Sequence, residues 1–371
     1  MIISSCRLRA LQETLAAWNQ TGFPFLRLRD GIITPLEEGF GSDSELFYYV
    51  PFLVRNFGFS LESALWWWDL GFALTAAVIA IVGFWNLAVT WAQRLLALLG
   101  VMGVALVSWH IGDTYLAPFF ACSFMPWIFV FLEKNKTLPL YLFGMLAGWV
   151  MAFTNAIRMF GGYALGIMLL TAVALRMKKW KRVLFLLFAC AAGMAVYHVW
   201  FNSVMSARDA YLHKQGVQCE QHEFKHAFWH SIYVGLGFIS NDLDIEYKDS
   251  CGLKRAREIK RDIIYCSPAY DVLLRNEVFR ICLSRPMYVI RQLSAKAGIL
   301  LFYFLLFANI GLLAAFWYRK PWYIDLAYFL ALCFAALPGL ATIPILPYLV
   351  GFCSIAAFYG IHSLLWMMQK R

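Results

Sequence analysis

The sequence predicts an all-α fold: a polytopic transmembrane helical bundle of about nine spans, with a small, mainly helical extracytoplasmic insert. Three observations carry that prediction. The 371 residues are 61% hydrophobic and only 15% charged, against roughly 45–50% apolar and about 25% charged in a soluble domain. The apolar residues fall in long unbroken runs, which in lipid select helices over the alternating strands of a barrel. Basic residues, finally, collect in alternate loops. The net charge of +10 is thereby explained by loop charge and by anionic headgroups, and no motif calls for a nucleic-acid partner.

Apolar segments are read at 64–85, 95–111, 114–132, 138–157, 160–175, 183–203, 296–318, 322–341 and 345–366, most of them near the roughly 20 residues that a crossing helix needs. One set of loops holds Arg94, Lys134, Lys136, "RMKKWKR" (Arg176–Arg182), Arg319, Lys320, Lys370 and Arg371. The positive-inside rule places that set, and the C-terminus with it, in the cytoplasm. Four regions follow: 1–63, an extracytoplasmic N-terminal loop with an acidic motif; 64–203, a six-span core; 204–295, an extracytoplasmic helical segment; and 296–371, three C-terminal spans. Residues 1–63 show no signal peptide and no apolar span, "CRLRALQETLAAWNQTGFPF" being at best an interfacial amphipathic helix. An upstream first span is therefore expected to be missing from this chain.

The outward loops concentrate ionisable groups, which at a membrane boundary are costly and often functional. "EEGFGSDSELFYYVPFLVRNFG" places Glu37, Glu38, Asp43 and Glu45 within nine residues. Asp43 and Glu45, with one residue between them, have the spacing to share a divalent cation or to supply a general base. "WHIGDTY" adds His110 and Asp113, and "TNAIRMFGGY" adds Asn155 and Arg158, a cation suited to phosphate. The expectation is that Asp43, Glu45 and Asp113 converge at one rim as catalytic groups and as a tentative cation site, with Arg158 and His110 binding substrate.

Residues 204–295 read helical at 252–262 and 268–293, with a loop at 235–250. "GLKRAREIKRD" is a basic helix whose Lys254 and Arg257 could meet a phosphate headgroup. His222, His226 and His230 share one helical stripe, a pattern that occasionally holds a metal and more often packs at an interface. Asp242, Asp244, Glu246 and Asp249 lack the glycine and terminal glutamate of a calcium loop and suit a surface loop. Cys122, Cys190, Cys333 and Cys353 are small hydrophobes within spans, while Cys219, Cys251 and Cys266 are equally compatible with thiols or with pairing.

This layout resembles the GT-C superfamily of integral-membrane glycosyltransferases, such as protein mannosyltransferases and aminoarabinose transferases, in a bacterial branch. With one span absent upstream, "SDSELFYYVPFLVRNFG" occupies the family's first outer loop, Asp113 the second, and 204–295 the large segment after span seven. The stretch "NAIRMFGGYALGIMLLTAVALRMKKWKR" is similar as well. The resemblance implies transfer of a sugar from a polyprenyl-phosphate-linked donor to a glycan, lipid or protein acceptor outside the bacterial inner membrane. Asp43 or Glu45 would act as base, because the pair reads Asp-Ser-Glu where the family more commonly has Asp-Glu or Asp-x-Asp. Asp113 would assist, Arg158, Lys254 and Arg257 would neutralise the lipid phosphate, and a divalent cation is a further implied partner. The competing readings are a transporter or flippase for a lipid-linked glycan, which needs polar groups at mid-membrane depth, and a non-catalytic membrane scaffold.

Overall fold

The computed structural model describes residues 5–36, 45–134, 137–177, 179–217 and 228–370. These residues are almost entirely helical, and eight helical segments among them are long and apolar enough to cross a membrane. Such helices are those of an integral membrane protein.

The N-terminal region is a packed unit rather than a loop. Helix α1 (Ser5–Thr21) is followed by strands β1 (Leu26–Arg29) and β2 (Ile32–Pro35) and by α2 (Leu46–Phe57). The strands pair antiparallel, with Arg29 opposite Ile32. Asp30 and Gly31 form the two-residue turn between them with φ of 52° and 81°, the left-handed geometry that Asp-Gly favours in hairpins. Ala10, Leu11, Phe25, Leu46, Phe47 and Val50 are buried together against Leu65 and Trp68 of the first spanning helix.

That helix is α3 (Leu61–Leu87). After it come α4 (Trp91–Ile111), a 3-10 turn (Asp113–Tyr115), α5 (Leu116–Cys122), α6 (Met125–Glu133), α7 (Thr137–Ile157), α8 (Tyr163–Met177) and α9 (Trp180–Lys214). The segment expected at 114–132 is thus a broken helix, interrupted at Ser123–Phe124 and mostly buried. The segment expected at 160–175 is α8, whose 15 residues reach only about 22 Å and do not traverse a roughly 30 Å hydrocarbon core. Helix α9, with 35 residues, is by contrast longer than the core is thick. Its last turns run past the bundle to the N-terminal unit, where Tyr211 stacks on Phe23 with ring centroids 4.9 Å apart.

Three helices follow outside the spanning set: α10 (Phe228–Gly235), α11 (Asp249–Ile259) and α12 (Pro268–Ser284). They share a small core of Tyr233, Ile245, Ala256, Tyr270, Leu274 and Val278. The helix expected at 268–293 is split at Arg285. Pro286 has no N–H to continue α12 and disfavours helical geometry at the residue before it, so a new helix, α13 (Pro286–Ala308), starts there. The span expected at 296–318 is likewise broken. Asn309, at φ 41°, separates α13 from α14 (Gly311–Trp317), which lies on α16 (Leu346–Lys370) where Gly311 meets Gly360. Helix α15 (Trp322–Ala341) precedes α16, and α16 is the central, most enclosed helix.

The two ends of the bundle differ in charge. At one end Gln93 donates to the Leu365 carbonyl (3.1 Å) and Gln369 to that of Leu87 (2.8 Å). Arg176 lies over the Tyr323 ring and Lys320 donates to Ser363. The basic loops therefore share this end. The N-terminal unit, the turns at 111–115 and 157–163, α10–α12 and the bend at 342–346 share the other.

Candidate functional site

Three clusters occupy the less basic end. The first is built on Glu45, which immediately precedes α2 and is 1% exposed. Its carboxylate accepts from the Tyr197 hydroxyl at 2.8 Å, and its carbonyl accepts from the N–H groups of Tyr48 and Tyr49 at 3.0 Å each. Tyr49 stacks on Trp68, centroids 5.4 Å apart. Burial and the nearby Glu45 charge push the Tyr49 phenol up, while its hydrogen bond with Tyr197 acts in the other direction. An acid set among aromatic rings at the end of a chain segment is held rigidly, which suits a group that must meet a substrate atom in one geometry.

The second cluster joins Asp69, Asp113 and Arg7. Asp69, the residue after Trp68, lies two turns inside α3 and is 2% exposed. Its Oδ1 accepts from the Asp113 N–H at 2.9 Å. Gly112 and Asp113 take φ of 66° and 59°, a left-handed pair that ends α4 and turns the chain into the 3-10 segment. A side chain at 112 would place its Cβ 2.7 Å from Asp69 Oδ2, so glycine is required there both for conformation and for space. The Asp113 carboxylate is ion-paired with Arg7 of α1.

The third cluster is centred on Arg158. Helix α7 ends just before it, and the chain turns through Phe160 (φ 67°). The turn closes as the Gly162 N–H donates to Asn155 Oδ1 at 2.8 Å. The guanidinium lies 4.6 Å from the centroid of Tyr115 and 5.3 Å from that of Tyr348. Tyr247, from the loop between α10 and α11, donates to the Tyr348 hydroxyl at 3.1 Å. Tyr115 is two residues from Asp113 on the same turn, so the second and third clusters are joined through it.

Of the residues expected from sequence, Glu45, Asp113 and Arg158 therefore lie at one end of the bundle, on three different elements. Asp43 lies outside the described residues, as do Glu37, Glu38, His222, His226 and Cys219. His110, on the last turn of α4, is exposed, and so are Lys254 and Arg257 on α11. His230 places Nδ1 2.6 Å from the Tyr270 hydroxyl and Nε2 3.2 Å from Asp249 Oδ1, a packing role within the small domain. Cys251 contributes a thiol that donates to the Asp244 carbonyl at 3.6 Å.

Among the described residues no group of three His, Cys, Asp or Glu side chains is arranged to hold a metal ion. Glu45 is held by a phenol and Asp113 by a guanidinium, and Asp43, the third member of the expected cation set, lies outside the described residues. Arg7, Asp69, Tyr49 and Tyr197 were not anticipated from the sequence. A lone Asp after "WWW" was the one available signal, since an ionisable group inside an apolar run must find a partner. Comparison with protein-family models, with curated proteins and with solved structures finds no match for this chain.

Proposed function

We propose that this chain is an integral-membrane glycosyltransferase of GT-C type, moving a sugar from a polyprenyl-phosphate-linked donor to an acceptor on the outer side of a bacterial inner membrane. The observation that carries the reading is the gathering of Glu45, Asp113 and Arg158, from three separate connections, at the end of the bundle opposite the basic loops. By the positive-inside rule the basic end is cytoplasmic, so the acidic clusters face outward and α10–α12 form an extracytoplasmic insert. Most ionisable residues of the spans lie toward their ends, with Lys296 of α13 and His362 of α16 the interior ones. Asp69 is close to the outer rim, Lys296 donates to the Leu340 carbonyl at the end of α15, and Lys320 pairs with Asp325 at the basic end. That distribution suits chemistry at a rim better than a transport path through mid-membrane depth.

In the proposed reaction Glu45, or Asp43, accepts the proton of an acceptor hydroxyl. The hydroxyl oxygen forms a bond to the anomeric carbon of the donor sugar as the bond from that carbon to the phosphate oxygen breaks. The electron pair leaves on the polyprenyl phosphate, whose charge Arg158 stabilises. Tyr115 and Tyr348 position the Arg158 guanidinium, while Arg7 and Asp69 fix the turn that carries Asp113 and Tyr115.

The test is a glycan profile of cells lacking the gene, complemented with the native chain or with Asp43→Asn, Glu45→Gln or Arg158→Gln at matched membrane levels. The native chain restores a glycan that the variants do not. Full restoration by both Asp43→Asn and Glu45→Gln would remove the basis for a carboxylate base and with it the reading.

A further inference from the structure

A groove of about 530 Å³ lies at the junction of the α10–α12 segment and α13, lined by Ile239, Ser240, Asn241, Asp242, Tyr288 and Arg291. Its walls are fixed by hydrogen bonds. Gln292, fully buried, accepts from the Ile239 N–H and donates to the Ile239 carbonyl, both at 3.1 Å. Asn241 Oδ1 accepts from Leu243 N–H (3.1 Å) and Ile245 N–H (3.2 Å), and its Nδ2 donates to the Ile245 carbonyl at 2.9 Å. Tyr288 donates to the Leu236 carbonyl. The one carboxylate of the groove, Asp242, is ion-paired with Arg285.

Arg291 differs from these neighbours. It is exposed, and among the described residues no carboxylate lies within ion-pair reach of it. A guanidinium left uncommitted in a concave, otherwise satisfied site is matched to an anion from outside the chain, and its planar fork fits two phosphate oxygens. The level of the groove narrows the choice. Met287, Ile290 and Leu293, on α13 beside Arg291, are exposed, and the exposed apolar surface continues along the same helix through Leu301, Phe302 and Leu305. Arg291 thus stands where a hydrocarbon-facing helix surface gives way to polar loop, the depth of a lipid headgroup.

We propose that this groove binds the phosphate of an anionic membrane lipid, with Arg291 on the phosphate oxygens, the exposed Ser240 beside it, and the acyl chains along Ile290 and Leu293. The site is separate from the Glu45 and Arg158 clusters and does not depend on the glycosyltransferase reading.

The purified full chain in detergent, titrated with dihexanoyl phosphatidylglycerol and followed by native mass spectrometry, tests this. The native chain binds the lipid. Arg291→Gln weakens binding about fivefold, the weight of one guanidinium at an anionic headgroup, Arg291→Lys weakens it less, and Arg261→Gln, in the turn after α11 and not among the residues that line the groove, leaves it unchanged. Arg291 is exposed and has no ion-pair partner among the described residues, so unfolding temperatures recorded alongside stay equal. Inorganic phosphate at the same concentration does not compete. Equal binding by the native chain and Arg291→Gln, or competition by inorganic phosphate as effective as by the lipid, overturns the proposal.

Discussion

The backbone N–H of Asp113 donates to the side chain of Asp69 at 2.9 Å, bridging the start of the first span to the turn between the next two. Both groups are out of reach of water, so the bond cannot be exchanged for a solvent one. Asp69→Ala leaves a buried N–H without its acceptor, a loss of about 1–3 kcal/mol. Asp69→Asn keeps an acceptor oxygen and costs little. Gly112→Ala combines a strained φ of 66° with a Cβ 2.7 Å from Asp69 Oδ2 and destabilises at least as much as Asp69→Ala. Thermal unfolding of the detergent-solubilised chain orders the three; an Asp69→Ala protein as stable as Asp69→Asn would show the bond to be unimportant.

Tyr197 and Glu45 make the second testable pair. The phenol donates to the carboxylate at 2.8 Å in a buried setting. Tyr197→Phe removes that donor at nearly constant volume and leaves the buried carboxylate one hydrogen bond short, a loss of about 1–3 kcal/mol. If Glu45 is the base, glycan transfer falls with it. Unfolding temperature and glycan complementation check this; a Tyr197→Phe protein as stable and as active as the native chain would show the bond to be unimportant.

Glu277 of α12 sets an acid limit on the α10–α12 segment. Burial tends to raise its pKa, but the Arg280 and Arg255 guanidiniums, at 2.6 and 2.8 Å, outweigh burial and hold the carboxyl below its ordinary value. A depressed carboxylate stabilises the folded state fully above the unfolded pKa, about 4.3, and loses that contribution as pH falls through the lower folded value. The arginines are partly exposed, so the contribution is about 1 kcal/mol. The opening free energy of α11 and α12, obtained from amide exchange after division by the intrinsic rate at each pH, should fall below pH 4 in the native chain. In Glu277→Gln it should already be lower at pH 6 and change little on acidification. Equal pH dependence in the two proteins would assign the acid sensitivity elsewhere.

How far these features were legible in the sequence depends on the range of the interaction involved. Apolar runs and basic loops reveal themselves within a single window, which is why most of the expected spans and the charge asymmetry of the two ends match the structure. The hairpin is equally local: Asp30-Gly31 between "RLR" and "IIT" is a two-residue turn signal. The break at Arg285–Pro286 had its proline in plain view. By contrast, Arg7 reaches Asp113 and Tyr197 reaches Glu45 across 106 and 152 residues. No periodicity records such pairs, and they exist only once the helices are packed. Asn309 belongs to the same class, because the contact between Gly311 and Gly360 that its kink permits is made by helices far apart in sequence.

Helices α7 and α9 cross at two glycines, and the crossing yields a prediction with an internal control. A Cβ at Gly148 would sit 2.0 Å from the Cys190 carbonyl oxygen, and one at Gly193 would sit 1.9 Å from that of Met145. In each case the obstacle is backbone, which cannot rotate away as a side chain can. In lipid, helix association draws on close backbone approach more than on the hydrophobic effect, and small residues are what permit it. Gly148→Ala and Gly193→Ala therefore push the two helices apart and each cost about 1–3 kcal/mol, the range for overpacking a tight contact. Gly298 in α13 has no atom within 4 Å of its would-be Cβ, and Gly298→Ala should be neutral or stabilise by about 0.5–1 kcal/mol through helix propensity. Because α9 also carries Tyr197, Gly193→Ala should disturb the hydrogen bond to Glu45 and lower transfer, whereas Gly298→Ala should not. Unfolding temperatures and glycan complementation of the three variants check both levels; a Gly193→Ala protein as stable and as active as Gly298→Ala would mean that the close crossing does not hold α9 in place.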